Sequence, residues 1–167
     1  MFNWLNRLLR APRTRGFGVQ SPTDYHFIRH VVCQKQPYYA YRTLESKTAH
    51  LSKREVEILR FYLRLANHIQ DSCPIYIIGK ESYGNITSDL RRLFLTAGSK
   101  KANVQQVRRI PSAITASDTC LLVMENYESN RELLSQSPLT RVLFDMQDIA
   151  VAFCNPKRHK TLYKINL

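Results

Sequence analysis

Cysteine pairs, long apolar runs, glycine and acidic side chains are all scarce in this 167-residue chain. Its four cysteines, Cys33, Cys73, Cys120 and Cys154, are scattered with no C-x-x-C pair, which argues against a disulfide framework or a zinc site. Reduced thiols in a cytoplasmic protein are the expectation, with Cys120 and Cys154 behaving as small hydrophobes in or beside apolar runs. No apolar run approaches the length of a membrane span, so no transmembrane segment is expected. Acidic residues number 13 against 25 lysines and arginines, and the net charge is +12. A surface this basic attracts phosphates, whether of nucleic acid, anionic lipid or a small anionic ligand. The charge is spread, however, over Arg91-Arg92, Lys100-Lys101, Arg108-Arg109 and the KRHK run at 157–160, with few aromatics between. A plain solvated basic surface accounts for it equally well.

What is present supports one α/β domain with an N-terminal extension. An apolar fraction of 44% is enough for a core. Phe2, Leu5, Leu8 and Leu9 share one helical face, with Arg7 and Arg10 elsewhere. Such a helix could lie on an anionic membrane or a partner; the simpler expectation is that it packs on its own domain. The stretch lacks the apolar core and cleavage site of a signal peptide. Ser21 with Pro22 opens a helix through Val32. Ser52-Lys53-Arg54-Glu55 is a capping box opening a helix to about Gln70, with Val56, Leu59, Tyr62, Leu63, Ala66 and Ile69 as its buried stripe.

Ile75 to Leu95, IYIIGKESYGNITSDLRRLFL, reads as strand, glycine turn, helix. Ile75 to Ile78 is a run suited to a strand buried on both faces. Asn85 or Thr87 can cap the following helix. An adenosine or dinucleotide site in such a turn needs more glycines, for close backbone approach, and a carboxylate for the ribose. Here Lys80, Glu81, Ser82 and Tyr83 fill it with side chains. A weak strand over 103–110 and a buried one over 119–124 follow. Arg141–Phe144, Ile149–Phe153 and Thr161–Ile165 are three closing strands, whose short connections predict an antiparallel end to the sheet.

Arg15-Gly16-Phe17-Gly18-Val19-Gln20-Ser21-Pro22, then Phe27-Ile28 and Tyr38-Tyr39-Ala40-Tyr41, resembles the N-terminal lead-in of a bacterial group of class I S-adenosylmethionine-dependent methyltransferases. Phe144-Asp145-Met146, Ile149 to Phe153 and Tyr163-Lys164-Ile165 resemble that group's closing strands. The long helix before Ile75 and the Gly79 turn fall in matching order between them. The resemblance implies a three-layer, Rossmann-like α/β sheet of methyltransferase type, truncated, with antiparallel C-terminal strands. Residues 1–50 would form a helical lead-in and 51–167 the methyltransferase-like domain. In an active member, Gly79, Glu81 and Gly84 would line the cofactor turn. Glu125 would lie near the chemistry as a general base or metal ligand, unless it merely begins a short helix, where the dipole favours a carboxylate.

Departures from the family pattern matter as much. The acidic position ahead of the first glycine is Ile77, and 103–110 carries no carboxylate and ends near Arg108-Arg109. The middle is short by about one strand–helix unit. Glu81 is the one side chain in the turn able to replace the lost acid. The expectation is therefore a degenerate member that binds no cofactor and acts by binding a protein or an anionic ligand. The alternatives are an active methyltransferase that retains S-adenosylmethionine, or a nucleic-acid binder using Arg91, Arg92, Lys100, Lys101, Arg108 and Arg109. His26 and His30, at i and i+4 with Cys33 one turn on, lack a fourth ligand, so no metal is expected. Cys120 has no local signature of a nucleophile. Tyr38, Tyr39 and Tyr41 are expected to pack the N-terminal segment over the sheet rather than stack bases.

Overall fold

A computed structural model of the chain describes residues 3–36, 38–69, 73–79, 82–127 and 131–167. The N-terminal third is helical: α1 (Asn3–Thr14), α2 (Pro22–Phe27), a π-helical turn (Ile28–Val32) and α3 (Tyr39–Thr48). Ser21 caps α2 by accepting from the Asp24 N–H, with Pro22 in the first turn. The long α4 (Lys53–His68) opens with the full capping box, Glu55 N–H onto Ser52 Oγ and Ser52 N–H onto the Glu55 carboxylate. It is buried on more than the anticipated stripe, since Ile58, Phe61, Arg64 and Leu65 are also out of water. Arg64 tolerates this because its guanidinium donates to the Val31 and Val32 carbonyls and to the Tyr41 hydroxyl. Tyr38 and Tyr41 pack against the core, but Tyr39 is exposed.

The sheet has six strands in the order β4 (Val104–Val107), β1 (Ile75–Ile78), β5 (Cys120–Glu125), β7 (Ile149–Cys154), β6 (Val142–Asp145), β8 (Thr161–Lys164). β4, β1 and β5 run parallel, and β7 is antiparallel to both β5 and β6. The protein is thus α/β with a mixed sheet whose closing hairpin is antiparallel, as its short connection requires. One expectation changes. β8 pairs with β6, and in parallel, rather than extending an antiparallel meander. Both edges of β7 are already taken by β5 and β6, so the chain must carry its last strand across to the free edge of β6.

The glycine turn after β1 also differs from a simple strand-to-helix turn. A two-stranded hairpin, β2 (Ser82–Tyr83) and β3 (Ile86–Thr87), intervenes before α5 (Ser88–Gly98). Thr87, not Asn85, is the helix cap, accepting from the Leu90 N–H.

One face of the sheet carries α4, α5 and the α2–π-turn segment, which together enclose most of the core. Phe27, Ile28, Val31 and Val32 of the lead-in are part of that same core. The other face is thinner. Leu122, Met124, Leu143 and Ala152 are covered by Ile110 and Ile114 from the β4–β5 connection and by Leu134 of the short α6 (Arg131–Ser135). No helix spans residues 108–119, so the connection from β4 to β5 is a loop where a full doubly wound domain carries a helix.

The N-terminal helix departs most from expectation. Trp4, Leu5, Leu8 and Leu9 point away from the domain and are exposed. The helix is held instead by its polar side, with Arg10 on Asp145 and Thr14 on the Asn166 N–H. Phe2, included in the apolar face above, lies outside the described residues. Among the described residues no helix is long and apolar enough to cross a membrane.

Candidate functional site

In an open parallel sheet, ligands bind beyond the carboxyl ends of strands where the chain reverses its direction of winding. Here that point lies between β1 and β5: the chain leaves β1 for β4 on one side and returns to β5 on the other. Gly79 follows β1 with φ of +153°, and its N–H donates to the Val107 carbonyl at 3.1 Å. A Cβ built there would meet Glu125 Cβ and Oε2 at 4.0 Å. The glycine turn and Glu125 are therefore brought together.

What occupies the space is protein. Arg91 of α5 donates from Nε to Glu125 Oε1 at 2.7 Å and from Nη2 to Oε2 at 2.6 Å. Tyr62 of α4 adds its hydroxyl to Oε1 at 2.6 Å. Arg91 is 1% and Glu125 4% exposed. Tyr62 is pushed well above its ordinary pKa, first by burial and then by the Glu125 charge. Both carboxylate oxygens are engaged, and the group ends a strand rather than beginning a helix. Glu125, expected near the chemistry as a general base or metal ligand, presents both oxygens to its own neighbours, whereas a base must present one to substrate.

Tyr83, half-buried, lies beside this cluster. Its pKa is raised by burial and then by Asp148, with Glu125 and Glu55 contributing. Lys80 and Glu81, the other side chains of the turn, lie outside the described residues. Gly84 sits at the tip of the β2–β3 hairpin with φ of +57°, where a Cβ would come within 2.5 Å of Glu55 Oε1. Glu55 accepts from the Asn85 N–H at 2.7 Å as well as from Ser52. These donors, Asn85 foremost, lower its pKa to about 2. Gly84 is thus explained by the approach of Glu55, a contact within the protein.

The six basic residues are placed on α5 and around β4. Arg91 is removed from the set by its burial against Glu125. Arg92 and Lys100, both exposed, line a cavity of about 480 Å³ along α5 and β4. Lys100-Lys101 precede β4 and Arg108-Arg109 follow it, so the two pairs lie at opposite ends of a strand.

His26 and His30 do come together, with ring centroids 4.4 Å apart, and His68 stacks on His26 at 5.4 Å. Among the described residues no group of three or more His, Cys, Asp or Glu is placed to hold a metal ion. All four cysteines are free thiols, with Cys120 opposite Cys154 across β5 and β7.

What sequence reasoning missed is the pairing of Glu125 with Arg91 and Tyr62, which it had placed in a basic surface and in the α4 stripe. Arg91 stands one turn before Phe94 and Leu95 on the buried side of α5. A charge in such a stripe is the signature of a buried pair. No family model, curated protein or solved structure matches this chain.

Proposed function

We infer that the chain is a shortened methyltransferase-type domain whose cofactor crevice is filled by its own side chains, and that it works by binding rather than by methyl transfer. The observation that carries this reading is the Arg91–Glu125–Tyr62 cluster, buried at the carboxyl ends of β1 and β5. Isoleucine at 77, buried in the core, and the carboxylate-free β4 support it, because neither offers a grip for a ribose or an amino acid. The three parallel strands followed by an antiparallel closing hairpin support the family reading of the sheet.

Calorimetry with S-adenosylmethionine and its demethylated product tests the first half: no heat of binding is expected, and clear micromolar binding overturns it. An anionic ligand is the occupant favoured for the binding role. A cleft of about 700 Å³ between α1, the π-turn and α4 is lined by Arg7, Lys35, Lys53 and Arg60, with Glu57 the one acidic side chain among the described residues lining it. Inorganic pyrophosphate is the probe. Salt-sensitive binding that is lost in a Lys53→Glu, Arg60→Glu variant is expected, and unaltered affinity in that variant overturns the assignment.

A further inference from the structure

Helix α1 is amphipathic, but it is mounted the opposite way round from a helix that serves a core. At about 100° per residue, Trp4, Leu8, Pro12, Leu5 and Leu9 fill an arc of roughly 140° on one side. Arg10, Thr14 and Arg7 lie on the other, and those are the positions that hold the domain. Arg10 Nη1 donates to Asp145 Oδ1 at 2.8 Å, Thr14 Oγ1 accepts from the Asn166 N–H at 2.9 Å, and the Arg7 carbonyl accepts from Asn166 Nδ2 at 2.9 Å. Asp145 is completely buried, so this anchor is specific. The apolar arc is left facing out, with Trp4 65%, Leu5 41%, Leu8 58% and Leu9 71% exposed. Leaving that much contiguous apolar surface in water is costly, and a helix docked by its polar side can shed the cost only against something else.

We propose that α1 is a membrane-surface anchor that seats its Trp4–Leu5–Leu8–Leu9 face in the headgroup region of an anionic lipid bilayer. The charge pattern selects this occupant. No acidic residue occurs before Asp24, while Arg7, Arg13 and Arg15 are exposed in and just after the helix. By the same helical geometry, Arg13 borders the arc on the Leu9 side. That arrangement matches a negatively charged interface, with leucines and the indole inserted and guanidinium groups at phosphate level. A second copy fits poorly: face-to-face pairing would bring arginine borders together on chains that each carry +12. The proposal goes beyond the binding role above and does not depend on it.

Trp4 is the chain's one tryptophan, so its emission reports directly on the face in question. The full chain is titrated with vesicles of phosphatidylcholine alone and of phosphatidylcholine with phosphatidylglycerol, and is also sedimented with them. A blue shift of Trp4 emission and co-sedimentation with the anionic vesicles are expected, at least tenfold weaker with the neutral ones. Leu8→Glu with Leu9→Glu changes only exposed side chains, and circular dichroism checks its fold; it is expected to lose the shift and at least tenfold in binding. Arg13→Glu is expected to weaken binding severalfold while leaving the fold intact. Vesicle binding without a blue shift, or unchanged in the double leucine variant, overturns the proposal. So does a blue shift that needs no lipid and follows protein concentration, which would assign the face to a second copy.

Discussion

The Arg91 guanidinium and the Glu125 carboxylate meet through two hydrogen bonds of 2.7 and 2.6 Å, with both side chains almost entirely out of water. The pair joins α5 to the end of β5, and Tyr62 ties it to α4. Desolvating two charges is expensive, and such a pair persists only where geometry is good and the remaining polar atoms are satisfied. Its place at the carboxyl ends of β1 and β5 makes it a structural clamp between the sheet and two helices.

Arg91→Met leaves the Glu125 carboxylate buried without its cation and is expected to cost about 3–5 kcal/mol. Combining it with Glu125→Leu removes the stranded charge and is expected to recover most of that loss. Urea unfolding of the single and double variants measures the difference. A double variant as unstable as the single would show that the ion pair is not what the site depends on.

Gly84→Ala is expected to destabilise by about 1–2 kcal/mol from the left-handed backbone alone. Displacement of Glu55 adds to this, because the new methyl group would meet Oε1. Thermal unfolding gives the total. Repeating the change in a Glu55→Ala background should reduce the penalty, since the collision is then absent.

Glu55 sets an acid limb. Its pKa is lowered from 4.5 to about 2 by the Asn85 and Ser52 donors, so the folded state releases the proton more readily than the unfolded one. The stabilisation is fully present above pH ~4.5 and fades as pH falls toward 2. Melting temperatures across this window should fall less steeply in Glu55→Gln than in the parent, whose starting stability is higher. Parallel slopes would argue against the assignment.

His68 acts at milder pH. Burial, followed by the nearby His26 and His30, depresses its pKa below 6.5. Protonation therefore favours the unfolded chain, and stability is expected to decline as pH falls below ~6.5. In His68→Gln the melting temperature should vary less between pH 7 and 5. An identical profile in the two proteins would remove His68 as the cause.

Much of this fold was legible because its signals are local. The capping box at Ser52–Glu55, the Ile75–Ile78 run and the 119–124 strand need only neighbouring residues to declare themselves, and each appears within a few positions of its expected place. The shortness of the 146–148 connection dictated an antiparallel hairpin for the same reason. The β2–β3 hairpin was missed because its strands are two residues long, with no alternation to read. Glu125 was noticed, but its partners were not: Tyr62 and Arg91 lie 63 and 34 positions away in the chain.

By itself, then, the sequence determined the order of the longer helices and of the six sheet strands, the basic balance of the surface and the poverty of the turn after β1, all properties of short windows or of composition. Tertiary structure decided which edge β8 took, which side of α1 met the domain, and whether Glu125 faced solvent or an arginine. Those outcomes depend on which distant groups become neighbours. The buried Asp145 carboxylate is met by Arg10, and with that side of α1 on the domain its leucines face outward.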